Sequence, residues 1–169
     1  MNVLDFKKAL QGGGARANQF RVQLDFPNPI GASVYNGQFL CTATSLPGSN
    51  IGIAPAHYRG REIKIPGERT FQNWSITIIN DTNFEIRDSF EVWMNAINSV
   101  KENTGITNPL EVTKQMQVWQ MDRNGADLKG YNFVDLWPVN ISEIALSFNQ
   151  NDQLEEFTVE LAYAYWEPL

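Results

Sequence analysis

The side chains that most often act as nucleophile and base are scarce in this chain. It contains one cysteine, Cys41, and one histidine, His57. Nucleophilic catalysis needs a base within hydrogen-bond reach of an activated hydroxyl or thiol. Cys41 falls in an alternating apolar run, where a thiol is usually inert packing, and His57 follows a proline-rich segment. We therefore expect both residues to be structural, and we predict no catalytic residue and no enzymatic activity.

Metal-binding patterns are also incomplete. A zinc site takes three or four His, Cys or carboxylate ligands at suitable spacing, and that pattern is missing from the sequence. Residues 122–127 partly match a calcium loop, but their glycine stands at position four instead of six, and position twelve is Phe133 instead of glutamate. Glu155 and Glu156 are adjacent in the chain where it enters the last predicted strand, and so they face opposite sides of extended backbone. We expect neither a metal nor a cofactor.

The charge balance argues against tight binding to nucleic acid. The chain carries 19 acidic and 13 basic side chains, a formal net charge of −6. Proteins that bind DNA tightly usually present a basic face that releases counterions from phosphates. The five tryptophans are spread along the chain at spacings typical of a core, without the interleaved basic residues of a single-strand-binding surface.

Alternating apolar residues predict a β-rich domain. We predict strands at residues 20–26, 38–44, 61–65, 69–80, 114–121, 126–135, 144–148 and 157–165. The Asn124-Gly125 pair predicts a hairpin turn between two of them. Segment 45–58 contains too much proline and glycine for a regular core strand, so we predict a projecting irregular loop there.

One long helix interrupts the strands. Thr82 and Glu85 have the spacing of a capping box. An apolar stripe follows, made by Ile86, Phe90, Trp93, Met94 and Ile97. We predict a helix at about residues 83–98, and short connections favour antiparallel pairing of the strands. The predicted fold is β-rich α+β: an antiparallel β-sandwich or barrel of about seven to eight strands with this helix on its flank.

The chain divides into an arm and one domain. Residues 1–17 predict a flexible N-terminal arm, because glycines 12–14 follow a short apolar turn that contains Leu4 and Phe6. Residues 18–169 predict a single domain. A single cysteine, the absence of a leader and the absence of a long apolar run predict synthesis in a cytoplasm and no membrane segment.

Three stretches together resemble one family. They are residues 41–47 (Cys-Thr-Ala-Thr-Ser-Leu-Pro), residues 59–81, which run from Arg59 through Ile65-Pro66-Gly67 and Trp74 to Asp81, and residues 136–140 (Leu-Trp-Pro-Val-Asn) with the strands that close at 164–167. Their order and spacing, from about residue 18 to residue 167, are similar to those of tail tube proteins from T-even-type contractile phages. The loop at 27–35 is longer than is usual in that family, so nothing is carried over to it.

This resemblance implies a function and partners. Six copies would form a ring, and rings would stack into a hollow tube that conducts double-stranded DNA within a contractile sheath. The implied partners are the sheath protein, baseplate and tube-initiator proteins, and the tape-measure protein and DNA that pass through the lumen without tight binding. The chain would be part of the virion and would be made in the cytoplasm of the host bacterium.

Contacts between subunits are expected in two places. The 45–58 loop and the residue after it offer Leu46, Pro47, Ile51, Ile53, Tyr58 and Arg59, and the arm offers Leu4 and Phe6. Acidic residues could line the lumen and repel phosphates, and the candidates are Glu62, Asp135, Glu155, Glu156 and Glu160. The alternatives are a tube-initiator or baseplate subunit, the inner tube of a protein-delivering contractile injection system, a small-ligand-binding cytosolic β-barrel, and an enzyme.

Overall fold

The computed structural model describes residues 2–10, 14–27, 40–149 and 151–169. Nine strands and three helices have both ends in this described part of the chain. The helices are α1 (Val3–Ala9), α2 (Glu85–Ile97) and α3 (Pro109–Val112). The strands are β1 (Phe20–Gln23), β2 (Cys41–Thr44), β3 (Asn50–Tyr58), β4 (Arg61–Thr70), β5 (Trp74–Ile79), β6 (Lys114–Met121), β7 (Asp127–Ile141), β8 (Glu156–Ala162) and β9 (Tyr165–Pro168).

Strand β7 connects two half-sheets. Seven strands pair antiparallel in one sheet, in the order β1-β6-β7-β8-β5-β2, and β9 pairs with β7. The first part of β7 pairs with β6 and β9, whereas its last residues, from Trp137 to Ile141, pair with β8. Asp135, with φ 53°, and an irregular register after Pro138 mark the change. We call β1, β6, early β7 and β9 the first half-sheet, and β2, β5, β8 and late β7 the second half-sheet.

The core lies between the half-sheets and helix α2. Trp74 of β5 stacks on Phe133 of β7, with ring centroids 4.2 Å apart. Phe90 of α2 meets Phe26 edge to face at 5.0 Å, and the buried Trp93 indole donates a hydrogen bond to the carbonyl oxygen of Val112 at 2.7 Å. All of these rings except Phe26 are at most 2% exposed. The β-sandwich with a flanking helix is therefore confirmed. Among the described residues, β1 and β2 stand at the two ends of the strand order, and the sheet does not close into a barrel.

Helix α2 lies where the apolar stripe predicts it, but its start differs from the prediction. The capping box is wrong: the N-cap is Phe84, in a left-handed conformation with φ 58°, and no side chain caps the helix there. Ser89, one turn into the helix, donates to the carbonyl oxygen of Glu85 at 2.7 Å and therefore does not cap the free N–H groups of the first turn. Packing of Ile86, Phe90 and Trp93 therefore stabilises this helix more than its N-terminal sequence does.

One predicted loop and one predicted break between strands are regular strand in the structure. Segment 45–58 is irregular only in its first residues, because β3 covers Asn50–Tyr58. Strand β4 continues through Pro66 and Gly67, which were predicted to separate two strands. All ten residues of β4 are exposed, so no buried side chains mark it as a strand in the sequence. The strand forms because its backbone pairs with that of β3.

Two predictions near the end of the chain are also wrong. Residues 144–148 alternate in polarity but form no strand, and Leu146 and Phe148 point into solvent. The last predicted strand is divided into β8 and β9 at residues 163–164. Predictions for residues 28–39, which include all of the 27–35 loop after Pro27 and the start of the strand at 38–44, lie outside the described residues, as do glycines 12 and 13 of the proposed hinge.

Candidate assembly interface

Strands β3 and β4 form a hairpin that is a separate two-stranded sheet. They pair antiparallel from Asn50 opposite Thr70 to Tyr58 opposite Arg61. Arg59 and Gly60 make the turn, with φ 47° and 79°. Two consecutive residues of positive φ are typical of the tight type I′ turn, whose twist matches that of the strands, and glycine adopts this conformation without steric cost. The nine residues of β3 extend about 26 Å at ~3.3 Å per residue step.

The hairpin has one apolar face. The register places Ala54, Ala56 and Tyr58 on the same face as Ile63 and Ile65. The side chains of Tyr58, Ile63 and Ile65 are 62%, 50% and 49% exposed. An isolated two-stranded hairpin is only marginally stable in water, and it usually needs an apolar face packed against something else. This face therefore has the properties of a contact surface.

The opposite face of the hairpin is more polar. It presents His57 and Pro55 opposite Glu62 and Lys64, with Ile53 opposite Pro66 nearer the base. His57 lies here as an exposed residue, and Cys41 lies in β2 of the main sheet, outside the hairpin. The hairpin is thus amphipathic across its two faces, and neither face holds a nucleophile–base pair.

The base of the hairpin is held to the sandwich by two indole groups. The Nε1 of Trp74 donates to the carbonyl oxygen of Ser45 at 2.9 Å, and the Nε1 of Trp166 donates to that of Gly48 at 3.3 Å. Leu46 and Pro47 lie between these two bonds and line an open cavity of about 500 Å³ with Tyr163. These bonds fix the place from which the hairpin leaves the domain.

The predicted contact residues fall into two groups. Six of them lie on the hairpin or at its base: Leu46, Pro47, Ile51, Ile53, Tyr58 and Arg59. The other two, Leu4 and Phe6, lie on α1, where they are 60% and 64% exposed. No residue of α1 is buried. The structure therefore gives two separate exposed apolar surfaces, and whether either one contacts another subunit stays a prediction.

Sequence reasoning missed Ile63 and Ile65 as part of the apolar face. Both lie in a segment that was predicted to be a strand, and both alternate with charged residues. The sequence does contain a sign of this face: Ile63 and Ile65 are two residues apart, and so are Ala54 and Ala56 on the other side of the turn. The prediction of a loop at 45–58 leaves the 61–65 strand without a pairing partner, so the shared face cannot be derived from it.

The side chains with potential chemistry have structural surroundings. Burial raises the pKa of the Cys41 thiol from 9.0 to about 11, which makes it a poor nucleophile. One carboxylate oxygen of Asp122 accepts the backbone N–H groups of Asn124 at 2.7 Å and Ala126 at 2.9 Å, so this residue orders the β6–β7 turn. Among the described residues, no three His, Cys, Asp or Glu side chains are grouped as a metal site would need.

Two of the five acidic candidates share one surface. Glu156 and Glu160 lie on the outer face of the second half-sheet, opposite Ile79 and Ser75. Glu62 lies on the hairpin, Asp135 is exposed in β7, and Glu155 accepts a hydrogen bond from the side chain of Asn80 at 3.1 Å. None of the described helices is long and apolar enough to cross a membrane.

Known proteins resemble this chain in sequence and in fold. A family model described as phage tail tube protein matches residues 15–168. The tail tube protein of Enterobacteria phage T4 is 34% identical over 170 residues, with 99% of this chain and 100% of that protein covered. The tail tube protein of Serratia phage KSP90 is 30% identical, with 95% and 93% covered.

A solved structure shares the fold at low sequence identity. A chain of the anti-feeding prophage baseplate superposes with a TM-score of 0.67 at 13% identity, covering 92% of this chain and 95% of that one. The family match over most of the chain and the full-length relatives agree with the β-rich architecture described above. The chain therefore belongs to the phage tail tube protein family and is a structural component of the virion tail.

Proposed function

We propose that six copies of this chain form a ring and that the rings stack into a hollow tube, inside a contractile sheath, which conducts double-stranded DNA. The observation that carries the stacking is the β3–β4 hairpin, which extends from the domain with its apolar face exposed. Family membership supports the tube, because the full-length relatives are tail tube proteins. The proposed role is structural and involves no catalysis.

Ring closure would use the open edges of the sheet. Within the part of the chain that the structure describes, β1 pairs only with β6, and β2 pairs only with β5. Exposed strand edges carry unpaired N–H and C=O groups and promote association with other strands. Pairing between neighbouring copies would satisfy these groups and would join the half-sheets of six copies into a continuous barrel around the lumen.

Ring stacking would use the hairpin, with the arm as a second contact. Leu46 and Pro47 at the hairpin base, Ile51 and Ile53 in β3, and Tyr58 and Arg59 at the tip are the proposed contact residues on it, together with Ile63 and Ile65. Leu4 and Phe6 of α1 are the proposed contact residues of the arm, residues 1–17, which precedes the domain at 18–169. Proline lowers the conformational entropy that a segment loses on docking.

The lumen would be lined by the outer face of the second half-sheet. This face carries Ser75, Thr77, Asn140, Glu156, Thr158 and Glu160, together with the apolar residues Ile79 and Trp137. The hydroxyl groups of Thr77 and Thr158 are bonded to each other at 3.1 Å. The four strand segments of this half-sheet contain glutamate but no lysine or arginine. Such a surface would repel phosphates, so DNA and the tape-measure protein would pass without binding tightly.

Other tail proteins would contact the outside and the ends of the tube. The sheath protein would surround it, and baseplate or tube-initiator proteins would start it. The structural neighbours include chains of a baseplate and of a sheath-tube complex from contractile injection systems, the latter with a TM-score of 0.57. Identity of 13–14% to those chains, against 34% to a phage tail tube protein, favours the phage tube over an initiator or a protein-delivering tube.

The experiment is size-exclusion chromatography and negative-stain electron microscopy of the purified chain at increasing concentration, with and without phage tail baseplates. Rings with a central hole or hollow tubes are expected, at the latest when baseplates are added. A chain that remains monomeric at every concentration and with baseplates would overturn the proposal.

A further inference from the structure

A third exposed apolar surface lies in the connection between β7 and β8, residues 142–155, which we call the end loop. Leu146, Phe148 and Leu154 project from it with exposures of 79%, 105% and 74%. Three large apolar side chains this exposed in one short segment are costly to leave in water, and such patches typically mark interaction sites. The tube function as proposed above does not assign a role to them.

The end loop and the hairpin leave opposite ends of the second half-sheet. The hairpin lies between β2 and β5, and the last residue of β2, Thr44, pairs with Ile76 near the start of β5. At the other end of β5, Ile79 pairs with Glu156, where the end loop enters β8. Asn80 fixes this end, because its backbone N–H donates to the carbonyl oxygen of Glu155 at 2.8 Å. Strand β5 separates the two surfaces by about 17 Å at ~3.3 Å per residue step.

The two surfaces also have opposite charge. The hairpin, residues 50–70, contains four basic and two acidic side chains, namely Arg59, Arg61, Lys64 and Arg69 against Glu62 and Glu68. The end loop contains three acidic side chains and no basic one, namely Glu143, Asp152 and Glu155. A basic surface with an apolar face thus stands at one end of a chain whose net charge is negative, and an acidic surface with apolar side chains stands at the other.

We propose that the end loop is the receptor for the hairpin of the next copy along the tube. The inference rests on the proposed tube function and names the partner surface within it. Leu146, Phe148 and Leu154 would cover the hairpin face formed by Tyr58, Ile63 and Ile65. The acidic residues would face Arg59 at the tip and Arg61, which pairs with Tyr58 and therefore lies on that face. The two surfaces differ and lie at opposite ends of one chain, so the contact is head-to-tail. Repeating it adds ring upon ring and does not limit the length of the stack.

Charge complementarity also predicts the orientation in which each new copy adds to the tube. An incoming copy would present its basic hairpin to acidic end loops, or the reverse, and two like ends would repel each other. Copies would therefore add in one orientation only. Screening by salt would weaken this preference, since the charged groups involved are exposed.

The first test compares two pairs of apolar substitutions in the full chain. Leu146→Ser with Phe148→Ser alters the end loop. The control, Val100→Ser with Leu110→Ser, changes side chains that are 94% and 81% exposed and lie outside it. Assembly on baseplates is followed by sedimentation and tube length in electron micrographs, and thermal melts show that each variant is folded. We expect the end-loop variant to need at least a tenfold higher concentration for tubes while rings remain, and the control to behave as the parent chain does.

The second test exchanges charge between the two surfaces. Glu143→Lys with Gln153→Lys should impair tube growth, and so should Arg59→Glu with Arg61→Glu. The four substitutions together should return the required concentration to within about threefold of the parent chain, because opposite charges face each other again. A combined variant no better than the worse pair, or end-loop variants that build tubes as the parent chain does, would overturn the inference and leave the tube function intact. A parent chain that forms no tube with baseplates would overturn both.

Discussion

At the scale of single residues, polar and reactive side chains maintain the fold. The Asp122 carboxylate orders a turn, and the indoles of Trp74 and Trp166 hold the hairpin base. Trp93 satisfies its buried N–H through Val112. A buried donor without a partner would cost about 1–3 kcal/mol, so the bond of the Trp93 indole helps to specify the fold as well as to stabilise it.

Cys41 should react slowly with thiol reagents. Because burial raises its pKa to about 11, the thiolate at pH 8 should be about a hundredfold rarer than for a thiol with the ordinary pKa of 9.0. The sign of the shift also means that this thiol contributes stability below about pH 9 and that the contribution falls as the pH rises toward 11. Maleimide labelling over a pH series measures this rate. The control is Val100→Cys in a Cys41→Ser background, and equal rates for both thiols would contradict the prediction.

Gly130 should be required for the packing of Trp119. The two residues are paired across β6 and β7, and a Cβ on Gly130 would lie 2.5 Å from the Cε3 atom of Trp119. Gly130→Ala should displace the indole and lower the free energy of unfolding by about 1–3 kcal/mol. Urea denaturation monitored by tryptophan fluorescence measures this. A variant as stable as the parent chain, with unchanged fluorescence, would show that the ring does not depend on this glycine.

At the scale of elements, α2 and the hairpin differ in what they bury. Helix α2 places Ile86, Phe90 and Trp93 in the core. The hairpin buries none of the residues of its two strands, so its strands contribute little to the core of its own chain. One element therefore stabilises the domain, and the other is available for contacts outside it.

Truncation of Phe90 should destabilise the domain strongly. Phe90→Ala removes a fully buried ring that packs against Phe26 and Trp93, and should lower the free energy of unfolding by about 3–5 kcal/mol. Val92→Ala, on the exposed side of the same helix, should change it by less than about 0.5 kcal/mol. Similar losses for the two substitutions, measured by chemical denaturation, would contradict the assignment of the helix faces.

Removal of the hairpin should separate folding from assembly. Asn50 pairs with Thr70, so the ends of the hairpin are neighbours and a short Gly-Ser linker can replace residues 51–69. The shortened chain should keep a cooperative thermal transition but form no tubes on baseplates. Retained tube formation would exclude the hairpin as the stacking contact, and a loss of cooperative unfolding would show that the domain needs it.

Sequence patterns predicted the elements whose side chains are buried on one face. The alternation around Ile76 and Val118 and the stripe around Phe90 reflect burial, which a single sequence encodes. Strand β3 was missed because it is exposed, contains Pro55, and depends on pairing with β4. The alternation at Leu146 and Phe148 was misleading because it reflects exposed side chains, with no strand at these positions. Likewise, Ile63 and Ile65 could not be recognised as a contact face from a burial pattern.

At the scale of the whole molecule, the chain has two different ends and two open sides. The basic hairpin and the acidic end loop lie at opposite ends of β5, and the edges β1 and β2 remain unpaired within the described chain. A subunit with these features can extend in two directions: around a ring through its edges and along a stack through its ends. The family to which the chain belongs is consistent with this arrangement.

The most direct test of this account is a cryo-EM reconstruction of tubes assembled from the full chain on phage baseplates. The account predicts six copies per ring, each hairpin packed against the end loop of a copy in the next ring, and the face with Glu156 and Glu160 turned toward the lumen. Tubes in which the hairpins project into the lumen or into solvent, or baseplates that recruit no rings at all, would contradict it.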